Sequence, residues 1–296
     1  GQQLVLVRNS AMKFAGVALG WAAVLGSLAL VVSGRFGSVG PATAGLVAAT
    51  PLAPVTNLVE AGAAIALRRW LLAGASSMLL LATLGGAGFG AGSSSATHPP
   101  PTDATTIVSS NVRTGNPRIG ELARHLLAAE PDIILLQEIG FGDLAEIRRT
   151  ELTRDHPFEL TDPRAGYFGG AVFSRWPITG GVEDVAGYPM IVATVETPSG
   201  DLDVINVHDA PPTNSDGHRL WSRQLEELSR RLRTADRPLV VIGDFNATEH
   251  HAELRALARD SSDRGLAPFR SFPFGAVVPP LISLDHAFVA GGGCLR

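Results

Sequence analysis

Polar side chains recur at the ends of short apolar runs that are typical of buried strands. The runs IILLQ (133–137) and LVVIG (239–243) each lead directly into an acid. A buried charge without a partner is costly, so several such positions indicate one shared pocket at an edge of a sheet. The residues in these positions are Asn111, Glu138, His208, Asp244, Asn246, Asp285 and His286.

Together these side chains have the types that metal-assisted hydrolysis of a phosphate ester needs. Glu138 and Asp285 offer hard oxygen ligands, which suit Mg²⁺ or Mn²⁺ rather than zinc. Asp244 can orient or deprotonate a water, and His208 and His286 can hold a phosphoryl oxygen or pass a proton. The uncharged groups that can hold a phosphate or orient a carboxylate are Asn111 and Asn246.

Each of these residues also has an ordinary structural interpretation when it is taken alone. Asp244 after a strand can cap a turn or a helix, Asn111 can be a turn residue, and His208 can be a hydrogen-bonded core histidine. It is the ordered set, rather than any single member, that favours a phosphoesterase site.

The same residues carry a resemblance to a known family. The segments SSNV, LLQE, GGAVFSRWPI, NVH, GDFN and LDH follow one another in this order over residues 104–290. This series resembles the endonuclease/exonuclease/phosphatase family, which includes DNase I, and GDFN and SLDH are its most specific parts. The resemblance implies an α/β fold, a two-sheet α/β sandwich of the DNase I type.

The resemblance also implies roles around a divalent cation. In the family, the residues that match Glu138 and Asp285 contact the metal, and the match to Asn111 helps to place metal and phosphate. The match to Asp244 positions the nucleophilic water, with support from the match to Asn246.

The two histidines receive implied roles as well. The family residue that matches His208 contacts the phosphate, and the match to His286 is a catalytic histidine. An acid between GDFN and the last motif usually orients the terminal histidine. Asp260 and Asp263 both lie in the right stretch, and the sequence does not decide between them.

The elements that must position these residues alternate between strand and helix, which predicts a mixed sheet covered by helices. Strands are predicted for apolar or alternating runs, and helices for runs with apolar residues every three or four positions. The predicted strands cover residues 105–112, 132–138, 166–174, 190–197, 201–208, 238–246 and 283–290. The predicted helices cover residues 117–130, 142–152, 217–235 and 249–260.

Residues 1–92 are predicted to form a membrane region that is joined by a Ser/Pro linker (93–103) to the domain at 104–296. Segments 14–33 and 70–92 are long and uncharged enough to cross a bilayer, and 44–67 is a weaker third span. Basic residues before the first span and between the second and third predict that the domain is extracytoplasmic. A cleavable signal peptide is the alternative for the first span.

The net charge of the predicted domain bears on which class of substrate it can bind. Residues 101–296 hold 19 basic and 27 acidic residues, a net charge of −8, which disfavours a binder of duplex DNA. We therefore expect a divalent-metal-dependent phosphodiesterase or phosphatase in the cell membrane, acting on a lipid headgroup, an inositol phosphate or a nucleic acid. The alternatives are an extracellular nuclease and a membrane-anchored binding protein without catalysis. No obligate protein partner is evident.

Overall fold

The computed structural model describes residues 2–86, 104–261 and 282–292, with the side chains of residues 2–14, 85 and 86 excepted. The chain forms two compact units, one of N-terminal helices and one that holds both sheets. The predicted linker at 93–103 and the candidate residue Asp263 lie outside the described residues.

The N-terminal unit is built from helices of apolar residues. They are α1 (Gln2–Phe36), α2 (Pro41–Ala48), α3 (Ala53–Ala66) and α4 (Trp70–Gly86). Within the described residues, one helical segment, Ala15–Phe36, is long and apolar enough to cross a membrane, with a mean hydropathy of 2.1. A signal sequence near an N-terminus has the same features, so an anchor and a signal peptide both stay predictions.

The other two predicted spans do not appear as single straight helices of that length. Over 44–67 the chain forms α2 and α3, which are bent by 50° at a short break and would have to count together as one span. The apolar part of α4, Trp70–Leu84, is shorter than the other candidates, and the rest of the predicted span from residue 87 lies outside the described part.

The second unit contains two mixed sheets. The first sheet has the order β1-β2-β4-β3 and the second the order β5-β6-β7-β8-β9. The strands are β1 (Ile107–Asn111), β2 (Ile133–Gln137), β3 (Phe158–Asp162), β4 (Gly170–Ser174), β5 (Ile178–Asp184), β6 (Pro189–Thr197), β7 (Gly200–His208), β8 (Leu239–Asp244) and β9 (Asp285–Ala290). The helices are α5 (Ile119–Leu127), α6 (Phe141–Ile147), α7 (Leu152–Asp155), α8 (Ser215–Thr234) and α9 (Ala252–Asp260).

The two sheets pack face to face, with helices on their outer faces. Alternate residues of β2 divide between the two sides, because Ile133 packs with Val204 and Val240 of the second sheet. Ile134 packs on the other side, among the residues of α5 to α7. On the far face of the second sheet, α8 and α9 bury their own apolar stripes. These layers confirm the predicted α/β sandwich with a mixed arrangement of strands.

Two strands, β3 and β5, were not expected from the sequence, and one predicted helix is divided into two helices. β5 contains Gly180 and Gly181 and is largely exposed, so it lacks the apolar pattern of a buried strand. The predicted helix at 142–152 separates into α6 and α7, because the hydroxyl of Thr150 donates to the Ile147 carbonyl at 2.7 Å and ends the first helix.

Candidate active site

Polar residues from both sheets meet where β1, β2, β7 and β8 end. Asn111 ends β1, and Glu138 directly follows β2, its parallel neighbour. The Asn111 amide Nδ2 donates to Glu138 Oε1 at 2.9 Å and to Asp244 Oδ2, at the end of β8, at 3.0 Å. One amide thus joins a carboxylate of each sheet.

The second sheet brings further predicted residues to the same edge. His208 lies opposite Asp244 in the parallel register of β7 and β8. Asp285 lies opposite Asp244 on the other side, in the antiparallel register of β8 and β9. His208 also faces the first sheet, since its Nε2 lies 3.6 Å from Glu138 Oε1.

Glu138 and Asn246 hold an unusual backbone conformation. Their φ angles are +59° and +48°, in the left-handed region that side chains other than glycine rarely adopt. Thr114 Oγ1 donates to the Glu138 carbonyl at 2.8 Å, and Asp244 Oδ1 accepts from the Asn246 backbone N–H at 2.9 Å. Such conformations cost about 1 to 3 kcal/mol each and persist where surrounding contacts enforce them, as they do at many functional sites.

His286 lies one residue beyond Asp285, opposite Gly243. Its Nε2 lies 2.9 Å from the Ala247 carbonyl, and its ring meets Phe245 edge to face at 5.9 Å. Desolvation lowers the pKa of His286, although the Ala247 carbonyl and the nearby Glu249 and Asp244 act in the opposite direction. The imidazole is therefore biased towards its neutral form.

Asp260 is bound by α8. Its carboxylate accepts from the Ser229 hydroxyl and from Arg233 Nη1, the latter at 2.8 Å. Burial works against ionisation, but these two hydrogen bonds prevail and lower the pKa of Asp260.

Asp209 belongs to this cluster and was not singled out from the sequence. It is fully buried, and neither carboxylate oxygen has a hydrogen-bond partner among the described residues. Burial, and then the nearby Asp244, raise its pKa well above the usual value. Its backbone N–H donates to the Asp244 carbonyl at 2.9 Å, and its carbonyl accepts from Asn246 Nδ2 at 2.7 Å. Its position directly after NVH was the available signal.

Tyr188 is a second residue that sequence reasoning missed. Its ring meets His208 edge to face at 6.3 Å and lies 5.0 Å from the ring of Phe168. Burial, together with the charges of Asp209, Glu138 and Asp244, raises the pKa of Tyr188 to about 12. The phenol therefore stays protonated beside these negatively charged side chains.

This negative charge fits a divalent cation. In the ranges that the structure covers, no arginine or lysine forms an ion pair with Glu138, Asp244 or Asp209. Mg²⁺ typically takes one or two carboxylates and keeps several waters, so the Glu138 carboxylate suits it as a ligand. Asn111 presents its amide N–H groups to Glu138 and Asp244, and its Oδ1 accepts from the Arg113 backbone N–H at 3.0 Å, so this side-chain orientation offers the cation no Asn111 oxygen. No ready-made group of three or more His, Cys, Asp or Glu side chains occurs among the described residues.

Comparison with known proteins agrees with this architecture. The sequence model of the Endonuclease/Exonuclease/phosphatase family matches residues 108–296. A comparison with curated proteins gave no match.

Several solved structures are similar to part of this chain at low sequence identity. A TDP2 from D. rerio, complexed with a single-strand DNA product, is 16% identical with a TM-score of 0.49, covering 63% of this chain and 83% of its own. Sphingomyelinase C from Streptomyces griseocarneus is 16% identical with a TM-score of 0.47, covering 67% and 86%. A mannosyl-6-phosphatase from Bacteroides thetaiotaomicron is also 16% identical with a TM-score of 0.47, covering 64% and 86%.

Proposed function

Because this chain belongs to the Endonuclease/Exonuclease/phosphatase family, we propose that it is a divalent-metal-dependent phosphoesterase anchored in the membrane. The reaction is hydrolysis of a phosphodiester or phosphomonoester by a water. The observation that supports this most directly is the Asn111 amide, which bonds Glu138 and Asp244 across the two sheets at 2.9 and 3.0 Å.

In this proposal Glu138 and Asp285 hold Mg²⁺ or Mn²⁺, and Asn111 helps to place the metal and the phosphate. The cation supplies charge stabilisation for the phosphoryl oxygens. Asp244 accepts a proton from the attacking water and orients it. The Asn246 side chain donates to the Asp209 carbonyl and so holds the segment that follows β8 in place. His208 would donate a hydrogen bond to a phosphoryl oxygen, and His286 would act as the catalytic histidine that passes a proton to the leaving oxygen when it is protonated.

The test is hydrolysis of a generic phosphodiester by the full chain in detergent, with Mg²⁺ or Mn²⁺ and with EDTA. Asp244→Asn removes the base but keeps the shape, and we expect kcat to fall on the order of 10²-fold or more. Asp216→Asn, at an exposed position on α8, is the matched control and should behave as wild type. Turnover that survives EDTA would contradict the metal role.

The substrate class follows from charge and tethering. A net charge of −8 over residues 101–296 gives little attraction for duplex DNA, whereas a membrane-bound enzyme meets lipid headgroups at high local concentration. A panel of sphingomyelin, phosphoinositides, inositol phosphates and DNA would rank these substrates, and preferential cleavage of DNA would favour the second candidate function, an extracellular nuclease. Binding of one of these without turnover would favour the non-catalytic alternative.

A further inference from the structure

Glu138 does not follow the alternation of the strand that precedes it. In β2, Ile134 and Leu136 face the side of α5 to α7, and a residue two positions further along an extended strand would face the same side. Oε1 of Glu138 instead lies 2.9 Å from Asn111 Nδ2 and 3.6 Å from Nε2 of His208, which belongs to the second sheet. The left-handed conformation of Glu138, with a φ of +59°, breaks the alternation and turns the side chain towards that sheet.

Thr114 contacts the backbone of Glu138 directly. Its Oγ1 lies 2.8 Å from the Glu138 carbonyl oxygen and 2.7 Å from the Gly166 carbonyl oxygen, so its single proton can be donated to either. The hydroxyl thus joins three segments: the one that follows β1, the one that follows β2 and the loop between β3 and β4. A valine in its place would present a methyl group to both carbonyls.

Asp143, in the first turn of α6, joins two of these segments. It is only 5% exposed, and its Oδ2 accepts from the backbone N–H groups of Gly140 at 3.0 Å and Gly115 at 2.9 Å. A Cβ on Gly140 would lie 3.0 Å from this oxygen and 3.1 Å from Thr114 Cγ2. Both side chains therefore pack against the same point of the chain, two residues after Glu138.

The residue between Glu138 and Gly140 is held by the loop between β3 and β4. The Ile139 N–H donates to the Gly169 carbonyl at 3.1 Å, and the Ile139 carbonyl accepts from the Arg164 N–H at 3.1 Å. A Cβ on Gly169 would lie 1.9 Å from the Ile139 carbonyl oxygen, so only glycine allows the loop to approach this closely. Each residue from 138 to 140 therefore has a backbone group bonded to Thr114, to Asp143 or to this loop.

We propose that Thr114 and Asp143 are positioning residues that hold Glu138 in its left-handed conformation and so keep its carboxylate facing the second sheet. A strained conformation persists only where its surroundings enforce it, and these two side chains bond the segment that leaves the strained residue. The consequence for metal binding rests on the proposed function, in which Glu138 holds the divalent cation.

The test compares Thr114→Val, which keeps the shape but removes the hydroxyl, with Thr114→Ser, which keeps the hydroxyl. Both are full chains in detergent, and binding of Mn²⁺ without substrate is measured by electron paramagnetic resonance, which reports the free ion. We expect the Kd for Mn²⁺ to rise about 10-fold or more in Thr114→Val, as is usual when a residue that supports a metal ligand is lost, and to stay near the wild-type value in Thr114→Ser. Asp143→Ala, which removes the acceptor of two backbone N–H groups, should also raise this Kd.

Thr150→Val is the matched control, because Thr150 is also half-buried and its hydroxyl donates to a backbone carbonyl, that of Ile147, at 2.7 Å. It should bind Mn²⁺ as wild type does, whatever its melting temperature. The proposal is overturned if Thr114→Val or Asp143→Ala keeps the wild-type affinity, if Thr114→Ser binds as weakly as Thr114→Val, or if the control loses affinity as well.

A measurement without metal separates this inference from the proposed function. Hydrogen–deuterium exchange of the chain in EDTA, followed by mass spectrometry on peptides that cover residues 138–140, needs neither cation nor substrate. We expect faster exchange there in Thr114→Val than in wild type or Thr114→Ser, and unchanged exchange would overturn the proposal. A wild-type chain that binds no Mn²⁺ would refute the metal role in the proposed function, and the exchange rates would then decide this inference. If Asp143→Ala does not fold, the two Thr114 variants decide alone.

Discussion

At the scale of single residues, Asp209 is the least expected member of the site, because a buried carboxylate with unpaired oxygens opposes folding when it is ionised. Its pKa is raised in the folded chain, so the folded state holds a proton that the unfolded state releases above about 3.8. The contribution of this bound proton to the free energy of unfolding is complete below about pH 3.8. It is lost as the pH rises through the pKa of the folded state.

Asp209→Asn removes this ionisation while it keeps the shape of the side chain. In EDTA at neutral pH we expect the variant to be more stable than wild type by about 1 to 3 kcal/mol, because an amide does not ionise and its unfolded state gains nothing from releasing a proton at this pH. The difference should shrink as the pH falls towards 4. Urea unfolding at several pH values measures it, and a variant that is less stable at neutral pH would show that the carboxylate has a compensating partner.

The catalytic role proposed for His286 can also be tested by a single substitution. Its ring is held by the Ala247 carbonyl and Phe245, and its pKa is lowered by desolvation. His286→Ala should reduce kcat on the order of 10²-fold or more, whereas His125→Ala, at an exposed position on α5, should leave it unchanged. A wild-type rate for His286→Ala, measured with the same phosphodiester, would remove this residue from the mechanism.

At the scale of elements, the buried strands were predictable because their apolar runs are visible in the sequence. β2 reads IILLQ and is buried at every position, and β8 is equally buried. β5 was not predictable, because Gly180 serves a tertiary need: a Cβ there would lie 2.3 Å from the Val192 carbonyl oxygen. Most of the candidate site residues could be named in advance as well, because they end or directly follow these predicted strands.

The parts of the site that the sequence could not supply depend on contacts between distant segments. Asn111 and Asp244 are 133 residues apart, and only the packing of the two sheets brings them to 3.0 Å. Tyr188 is also defined by its burial near several carboxylates rather than by any local pattern, and the burial of Asp209 follows from packing although its position after NVH could be seen. Residues that depend on such distant contacts leave no repeating pattern of apolar and polar residues in the sequence.

The helix α8 supports the candidate site by packing against the second sheet. Leu225 is 1% exposed in the core between α8 and the second sheet, and Trp221 Nε1 donates to the Phe245 carbonyl at 3.0 Å. Leu225→Ala should destabilise the domain by about 2 to 5 kcal/mol. The exposed neighbour Glu226→Ala should change stability by less than about 0.5 kcal/mol. Urea unfolding of the two variants checks this, and equal values would place Leu225 outside the core.

At the scale of the whole molecule, the proposed membrane anchor raises the question of which side of the membrane holds the domain with the two sheets. The apolar segment Ala15–Phe36 can act as an anchor, and Arg68 and Arg69 mark the side on which the loop between α3 and α4 should remain. With three crossings the domain is extracytoplasmic, whereas two crossings place it in the cytoplasm. A cleaved signal peptide would leave the domain without this first helix.

Protease added to intact cells distinguishes these arrangements. An extracytoplasmic domain should be released by cleavage in the segment between the helices and β1, and the released fragment should carry the phosphoesterase activity. A cytoplasmic protein detected in the same sample must stay intact as the control for cell integrity. Complete protection of the domain in intact cells, with cleavage after lysis, would reverse the predicted topology. Recovery of the chain in the soluble fraction before any protease is added would instead favour the signal peptide.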